Sequence, residues 1–268
     1  MQSDPPREAS QSDLIDPARA RALQATLGMV PDIEAGMPLP PFFHYIYFWE
    51  IEVPAKLGRD GHPRVGEGLI PDMGLPRRMW AGGTLDFHAP LIAGVPAVQT
   101  VRVLKAERKE GRTGPLAFVT VEYAVQQDGA AICTEVRDIV YREDADPDAP
   151  KPTPPEARTD EDEAREVGFD STMLFRYSAL TFNGHRIHYD AEYAARVEGY
   201  DGLVVHGPLQ AQLLMLMVDR PEDPLRRFRF RMTAPLMHTE TATLCRKGPD
   251  AWVRGPDGRQ CLTAVING

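Results

Sequence analysis

One helix-length run of apolar residues limits the folds that this chain can adopt. Residues Leu209 to Val218 contain no charged side chain, and in a helix their apolar side chains would cover every side rather than one stripe. Gly207 and Pro208 come just before the run, as at a helix start, and Pro221 follows its end. A helix of this kind must be surrounded by other structure on most sides, and it is too short to span a bilayer.

Strand-like segments stand before and after this helix, separated by turn signals such as Asp128-Gly129. Because a helix with antiparallel strands covers its apolar surface with the sheet, the pattern predicts an α+β fold of two such units side by side. The strands are predicted at residues 78–88, 97–107, 116–126 and 132–141 in the first half, and at 226–234, 239–246, 251–254 and 260–266 in the second.

The segments between the strands give further predictions. Asp13 to Leu27 is predicted as a helix because Asp16-Pro17 forms a capped helix start. The aromatic run Phe42 to Trp49 is placed on a buried helix, with a strand as the alternative. The Gly- and Pro-rich segment Gly58 to Pro76 is predicted as a long loop, a kind that often carries function. Disorder is predicted at residues 1–12, a strand at 171–181 and a short helix at 190–197.

An acidic, proline-rich segment separates the two halves. It cannot bury apolar area, and this composition is typical of a linker. The predicted organisation is an N-terminal unit at 13–142, a linker at 143–165 and a C-terminal unit at 166–268.

The overall charge and the cysteines exclude several classes of protein. A net charge of −9 argues against a general nucleic-acid binder or a protein that binds anionic membranes, because no basic excess offsets phosphate charge. The three cysteines, Cys133, Cys245 and Cys261, have no paired spacing. They predict neither a disulfide framework nor a zinc site, and they favour a reducing, cytoplasmic compartment. The polar N-terminus does not read as a signal peptide.

Three strings of residues carry a family resemblance. Phe-Asn-Gly-His-Arg-Ile-His-Tyr-Asp stands at 182–190, Leu-Val-Val-His-Gly-Pro-Leu-Gln at 203–210 and Leu-Pro-Arg-Arg-Met-Trp-Ala-Gly-Gly at 75–83. Together they resemble the MaoC-like, R-specific enoyl-CoA hydratases. The closer resemblance is to the two-hotdog subgroup related to mesaconyl-C4-CoA hydratases.

This resemblance implies both a fold and an activity. The fold is the double hotdog, in which two antiparallel sheets each wrap a central helix and join as a pseudo-dimer. The activity is reversible addition of water to a short branched enoyl-CoA, with mesaconyl-C4-CoA giving citramalyl-CoA and no cofactor taking part. The only partner implied is the CoA-thioester substrate, and further association into a homodimer is optional. The N-terminal unit has no counterpart of the residues at 183 and 188, so we expect it to be a degenerate, catalytically silent hotdog that shapes the acyl pocket.

Three residues are the candidate catalytic groups. The backbone N–H of Gly207, at a helix start, can stabilise negative charge on the thioester oxygen. His188 is the natural base, since the unperturbed pKa of histidine lies near working pH. Asn183 stands where the family has an aspartate. A carboxamide cannot accept the proton, so we expect His188 alone to handle the proton while Asn183 orients the water.

Five further residues are candidates for substrate binding: His185, Arg186, His206, Arg77 and Arg78. The guanidinium groups suit a free substrate carboxylate, because they can bind it in a bidentate way. The sequence does not choose among the three arginines. No metal is predicted, because His185, His188 and Asp190 do not form a zinc signature and no third strong ligand is near in sequence.

Other interpretations stay open from the sequence. Asn183 and His188 are also typical of turn residues that only satisfy hydrogen bonds. The alternating arginines 227, 229 and 231 indicate a solvated strand face, or contact with the phosphates of coenzyme A. The same fold would also suit an acyl-CoA thioesterase or a non-catalytic acyl-CoA-binding protein.

Overall fold

The computed structural model describes residues 8–66, 68–111, 114–144 and 153–267. In these residues the strands form one antiparallel sheet with four α-helices and three short 3-10 turns. The first half holds β1 (Glu8–Leu14), α1 (Pro17–Thr26), β2 (Arg77–Phe87), β3 (Pro96–Gly111), β4 (Gly114–Gln127) and β5 (Ala130–Arg142). The second half holds β6 (Glu163–Gly168), α2 (Ser171–Leu180), α3 (Ala191–Arg196), α4 (Gly207–Val218), β7 (Arg227–Met232), β8 (Thr241–Lys247), β9 (Asp250–Arg254) and β10 (Gln260–Ile266).

The two halves share a single sheet. Its strand order is β1-β3-β4-β5-β2-β7-β10-β9-β8-β6, so five strands from each half meet where β2 pairs with β7. In that pair Gly82 lies opposite Arg231 and Asp86 lies opposite Arg227. The predicted α+β architecture of two joined units is therefore present, with the two half-sheets continuous through their backbone hydrogen bonds.

Helix α4 lies in the centre of the second half. All of its residues except Gly207 and Leu216 are buried, including Gln210 and Gln212, and it packs against β7, β8, β9 and β10. The sequence prediction of a helix surrounded by other structure is confirmed. No helix among the described residues combines the length and apolarity needed to cross a bilayer.

The aromatic run of the first half does not form the predicted helix. Only Phe43–Ile46 is helical, as a single 3-10 turn. Phe42 and Phe48, on either side of it, have positive φ angles of 67° and 58°, a conformation that stops helix propagation. The rings of Phe42, Phe43, Tyr47 and Phe48 are nevertheless buried, and α1 packs beside this turn and against α2.

Two other sequence predictions are wrong. Residues 8–12, predicted as disordered, belong to β1, which pairs with β3 as an edge strand. Residues 171–180, predicted as a strand, form α2, whose N-cap Asp170 accepts a hydrogen bond from the backbone N–H of Met173 (2.7 Å). Strand β6 begins at Glu163, inside the segment predicted as a linker. Of that segment, residues 145–152 lie outside the described residues.

The other elements match the predictions to within a few residues. Asp16 caps α1 as expected, because its carboxylate accepts from the N–H of Ala18 (2.8 Å). The predicted loop from Gly58 to Pro76 is irregular apart from isolated turns and bridges. It crosses from the first half towards the segment between α2 and α3, where the candidate site lies.

Candidate active site

A cavity of about 680 Å³ is lined by residues of both halves. From the second half come Asn183, His185, His188, Gly207, Pro208 and Gln210, and from the first half come Tyr45, His62, Arg77, Arg78 and Trp80. Both walls therefore belong to one chain.

The start of α4 opens onto this cavity. The N-cap, His206, makes no side-chain cap, so the N–H groups of the first turn are not used by the protein's own side chains. Gly207 lines the cavity. A Cβ at Gly207 would lie 3.2 Å from Sδ of Met232, so glycine keeps this helix start open to a ligand. The geometry suits an anionic oxygen at the N–H of Gly207.

His188 lies in the cavity wall with its tautomer fixed. Its Nδ1 is 2.7 Å from the carbonyl oxygen of Val204. Since a carbonyl can only accept, Nδ1 carries the hydrogen and Nε2 is a free acceptor. Burial lowers the pKa of His188 to about 4, although the hydrogen bond to Val204 opposes this shift. The imidazole is therefore neutral at pH 7 and able to take a proton.

Asn183 is partly used by the turn that holds it. Its Oδ1 accepts a hydrogen bond from the backbone N–H of His185 (3.0 Å), and its own N–H donates to the carbonyl of Ser178 (2.8 Å). The turn-forming interpretation and the functional one are compatible, because the side-chain Nδ2 stays available in the cavity wall. From there Nδ2 can donate a hydrogen bond to the oxygen of a bound water.

His206 supports His188 from behind. It is fully buried, its ring stacks on that of His188 with 3.6 Å between centroids, and its Nε2 forms a hydrogen bond with Oγ of Ser178 (2.8 Å). It is absent from the cavity wall among the described residues. The structure thus places His206 next to the base, away from the position expected for a substrate-binding group.

The three candidate arginines have different surroundings. Arg77 forms a buried ion pair with Glu198 (2.6 Å). Arg186 forms an ion pair with Asp190 (2.7 Å) and does not line the cavity. Arg78 lines the cavity and has no ion pair among the described residues. The structure therefore distinguishes the three arginines, which the sequence could not.

The arginines of β7 do not reach the cavity. Arg227, Arg229 and Arg231 are exposed, and none of them lines the cavity wall. Arg227 instead lies 3.5 Å from Asp86. This arrangement favours the solvated strand face over a role inside the cavity.

Sequence reasoning missed two residues of the cavity wall. His62, from the long loop of the first half, lies 4.7 Å from His185 between ring centroids. The amide of Gln210 is buried and its Oε1 has no hydrogen-bond partner among the described residues, so this oxygen is available to a substrate. The loop was identified as a functional segment, which was the available signal for His62. Gln210 ends the string at 203–210 that carries the family resemblance, but the sequence assigned it no role.

Asp60, His62 and His185 also form a candidate metal cluster. One ligand atom from each lies within 4.8 Å of the others. The sequence argument against a metal assumed that no third ligand was near, and the loop supplies that ligand. Ligand atoms around a tetrahedral zinc ion are ~3.4 Å apart, so the upper bound of 4.8 Å on these separations leaves room for a metal-binding role of the three side chains.

Comparisons with known proteins agree with this geometry. HtdX of Mycobacterium tuberculosis has the same fold, with a TM-score of 0.65 at 18% identity over 97% of this chain and 98% of HtdX. A MaoC-like dehydratase aligns with a TM-score of 0.69 at 16% identity, covering 97% of this chain and 96% of its own. A conserved hypothetical protein of the same Mycobacterium species, with a double hotdog fold, gives 0.60 at 13% identity, covering 98% of this chain and 96% of its own. The fold is the double hotdog of MaoC-like dehydratases, as predicted.

Sequence comparison defines the family. The pattern described as hydroxyacyl-thioester dehydratase type 2 matches residues 42–238. The mesaconyl-C(4)-CoA hydratase of Chloroflexus aurantiacus is 45% identical over 238 residues, which cover 87% of this chain and 84% of the relative. The mitochondrial hydroxyacyl-thioester dehydratase type 2 of Schizosaccharomyces pombe is 25% identical, covering 77% of both chains. This chain belongs to the hydroxyacyl-thioester dehydratase type 2 family, and the predicted class, a lyase of the hydratase and dehydratase type, is confirmed.

Proposed function

We propose that the protein adds water reversibly to the double bond of a short branched enoyl-CoA, converting mesaconyl-C4-CoA to citramalyl-CoA. One observation carries the proposal. His188, neutral and with Nε2 free, lines the same cavity as the N–H of Gly207 at the start of α4. A base and an oxyanion site in one cavity are the two groups that hydration of an enoyl thioester requires.

The reaction follows from these positions. The thioester carbonyl accepts a hydrogen bond from the N–H of Gly207, which draws electron density away from the β-carbon. Nδ2 of Asn183 holds the water, and Nε2 of His188 takes a proton as the water oxygen bonds to the β-carbon. The electron pair of the double bond moves to the α-carbon, which then takes a proton.

Arg78 is the proposed partner of the substrate carboxylate. In mesaconyl-C4-CoA the free carboxylate is attached to the β-carbon, so it must lie beside the attacking water. The positive charge of Arg78 helps to lower the pKa values of His62 and His185, after the larger effect of burial on both. Arg78 is therefore close to the imidazoles next to His188, whereas Arg77 and Arg186 are already paired with acids.

Other features support the setting proposed for the enzyme. The three cysteines are all free and buried, which supports a reducing, cytoplasmic compartment. Because one chain supplies both walls of the cavity, the proposed activity does not require a homodimer.

One assay tests this function against its alternatives. The protein is incubated with crotonyl-, mesaconyl- and itaconyl-CoA while enoyl-thioester absorbance and free thiol are followed together. Loss of absorbance without thiol release is expected. Thiol release would indicate a thioesterase, and binding without either change would indicate a binding protein; both results contradict the proposal.

Two variants test the roles of the residues. His188→Gln should lower kcat about 10³-fold with an unchanged circular dichroism spectrum, since it removes the only proposed base for the water. Arg78→Gln should lower kcat/KM for mesaconyl-CoA by about 10- to 100-fold and leave crotonyl-CoA, which has no carboxylate, nearly unaffected. Arg186→Gln is the matched control and should not change this preference. Equal losses for both substrates in Arg78→Gln would contradict the carboxylate assignment.

A further inference from the structure

Three imidazole rings line one side of the cavity, and a fourth, His206, lies behind them. The ring centroids of His62 and His185 are 4.7 Å apart, those of His185 and His188 are 5.4 Å apart, and those of His188 and His206 are 3.6 Å apart. The chain has seven histidines in all, so more than half of them meet here. His62 comes from the first half, and the other three come from the second.

Backbone contacts fix His62 in this position. The N–H of Arg186 donates to the carbonyl of Asp60 (2.9 Å), and the guanidinium of Arg186 donates to the carbonyl of Arg59 (3.3 Å). Gly61, with a φ of +88°, passes so close to Gly184 that a Cβ on it would lie 2.0 Å from the carbonyl oxygen of Gly184. The loop of the first half is thus joined to the turn that carries Asn183 and His185.

The groups in this row hold their protons in a way that suits transfer. When neutral, the rings of His62 and His185 each carry one N–H and one nitrogen that can accept a proton. A carboxylate oxygen of Asp60 lies within 4.8 Å of a ring nitrogen of each. A neutral imidazole can accept a proton at one nitrogen while it donates from the other.

We propose that His62 is a catalytic residue of this site and that it protonates the α-carbon of the substrate. The inference rests on the proposed hydratase function. It supplies the second acid–base group that Asn183, a carboxamide, cannot provide. It also assigns a chemical role to the half of the chain that the sequence indicated to be silent.

Each proton that leaves a residue during one turnover is replaced before the next. Nε2 of His188 takes a proton from water, and the water oxygen bonds to the β-carbon. An N–H of His62 gives its proton to the α-carbon, whose electron pair forms the new C–H bond. The electron pair of the broken N–H bond stays on His62, which is an imidazolate until a proton returns to it. The proton held by His188 then passes through His185 to His62, and one water molecule can bridge each of these steps. All three imidazoles return to their starting state, and the net change is the addition of one water to the substrate.

Chemical rescue tests this role directly. His62→Gly should lower kcat for mesaconyl-CoA about 100-fold, the usual contribution of a general acid, with little change in KM. Imidazole in the buffer should restore a large part of kcat, and 1-methylimidazole, which is about as basic but has no N–H in its neutral form, should not. The control is His88→Gly, since His88 is exposed and its ring forms a hydrogen bond with Thr134 (3.1 Å) on the surface; it should keep wild-type kcat and gain nothing from imidazole.

The remaining outcomes each decide the question. His62→Asn, which preserves a polar side chain in the loop, should stay folded by circular dichroism and lose kcat to the same extent as His62→Gly. Wild-type kcat in either variant, or equal rescue by 1-methylimidazole and imidazole, would overturn the proposal. Loss of wild-type activity in EDTA with recovery on adding Zn²⁺ would also overturn it, because Asp60, His62 and His185 would then act as metal ligands. If the wild type hydrates none of the CoA thioesters, the proposed function itself fails, and this result is distinct from normal activity in the His62 variants.

Discussion

Lowering the pH from 7 to 5 tests whether His188 is neutral in the folded protein. In the unfolded chain this histidine takes up a proton near pH 6.5, whereas in the folded protein its pKa is about 4. Below pH 6.5 the unfolded state therefore binds a proton that the folded state does not bind. The folded state consequently loses stability as the pH falls. The full difference corresponds to about 3 kcal/mol, of which about 2 kcal/mol is lost by pH 5.

Urea unfolding of two proteins isolates this effect. The free energy of unfolding is measured at pH 7 and pH 5 for the wild type and for His188→Gln, which cannot titrate. The wild type should lose about 2 kcal/mol more than the variant between the two pH values. His62, His185 and His206 also have lowered pKa values because of burial; they shift stability in the same direction in both proteins and largely cancel in the comparison.

Activity gives an independent result from the same histidine. Because the folded protein keeps His188 neutral down to about pH 4, kcat/KM should stay level from pH 7 to pH 5, wherever the protein remains folded. An acid limb centred near pH 6.5 would refute the reasoning, since it would mean that the base titrates as it does in water. Equal losses of stability in the wild type and His188→Gln would refute it as well.

Three further predictions follow from close contacts. Gly61→Ala should lower kcat/KM about 100-fold, because a Cβ 2.0 Å from the carbonyl oxygen of Gly184 forces the loop to move by about 1 Å; the control Gly168→Ala, with nothing within 4 Å, should match the wild type. Glu198→Gln should lower the free energy of unfolding in urea by about 3–5 kcal/mol, because Arg77 is buried and loses its counter-charge. A smaller loss would mean that solvent reaches this ion pair. Gly207→Ala should keep the fold, since the flexible side chain of Met232 can yield, and should lower kcat about 10-fold or more by crowding the oxyanion site; unchanged kcat would place that site elsewhere.

Local sequence rules predicted the elements whose signals are local. The apolar run of α4, the Asp16-Pro17 start of α1 and the turns between strands all act over a few residues, and each prediction was confirmed. Strand β1 was missed because its polar residues are held by backbone pairing with β3, about 90 positions away. Helix α2 was taken for a strand because its aromatic residues favour strands, although Asp170 caps it as a helix start.

In the candidate site, too, sequence reasoning identified the groups that are close in sequence and missed those brought together from distant positions. The strings around His188 and Gly207 identified one wall of the cavity, because those residues lie within 25 positions of each other. The opposite wall depends on distant partners. Arg77 and Arg78 are adjacent in sequence, and only the pairing of Arg77 with Glu198 in space distinguishes their surroundings. His62 was out of reach for the same reason, since it meets His185 across more than 120 residues.

The pairing of β2 with β7 also bears on symmetry. In a dimer of identical single hotdogs, any loop that one subunit extends into its neighbour is returned by that neighbour, and both active centres inherit the same residue. Here the two units joined by the β2–β7 pair have different sequences. The loop through Gly61 therefore contacts Gly184 once, and no symmetry-related copy of this contact has to form. If the first unit carries no reactive centre of its own, as the sequence predicts, the fusion leaves its loop free to change in sequence for the benefit of a single site.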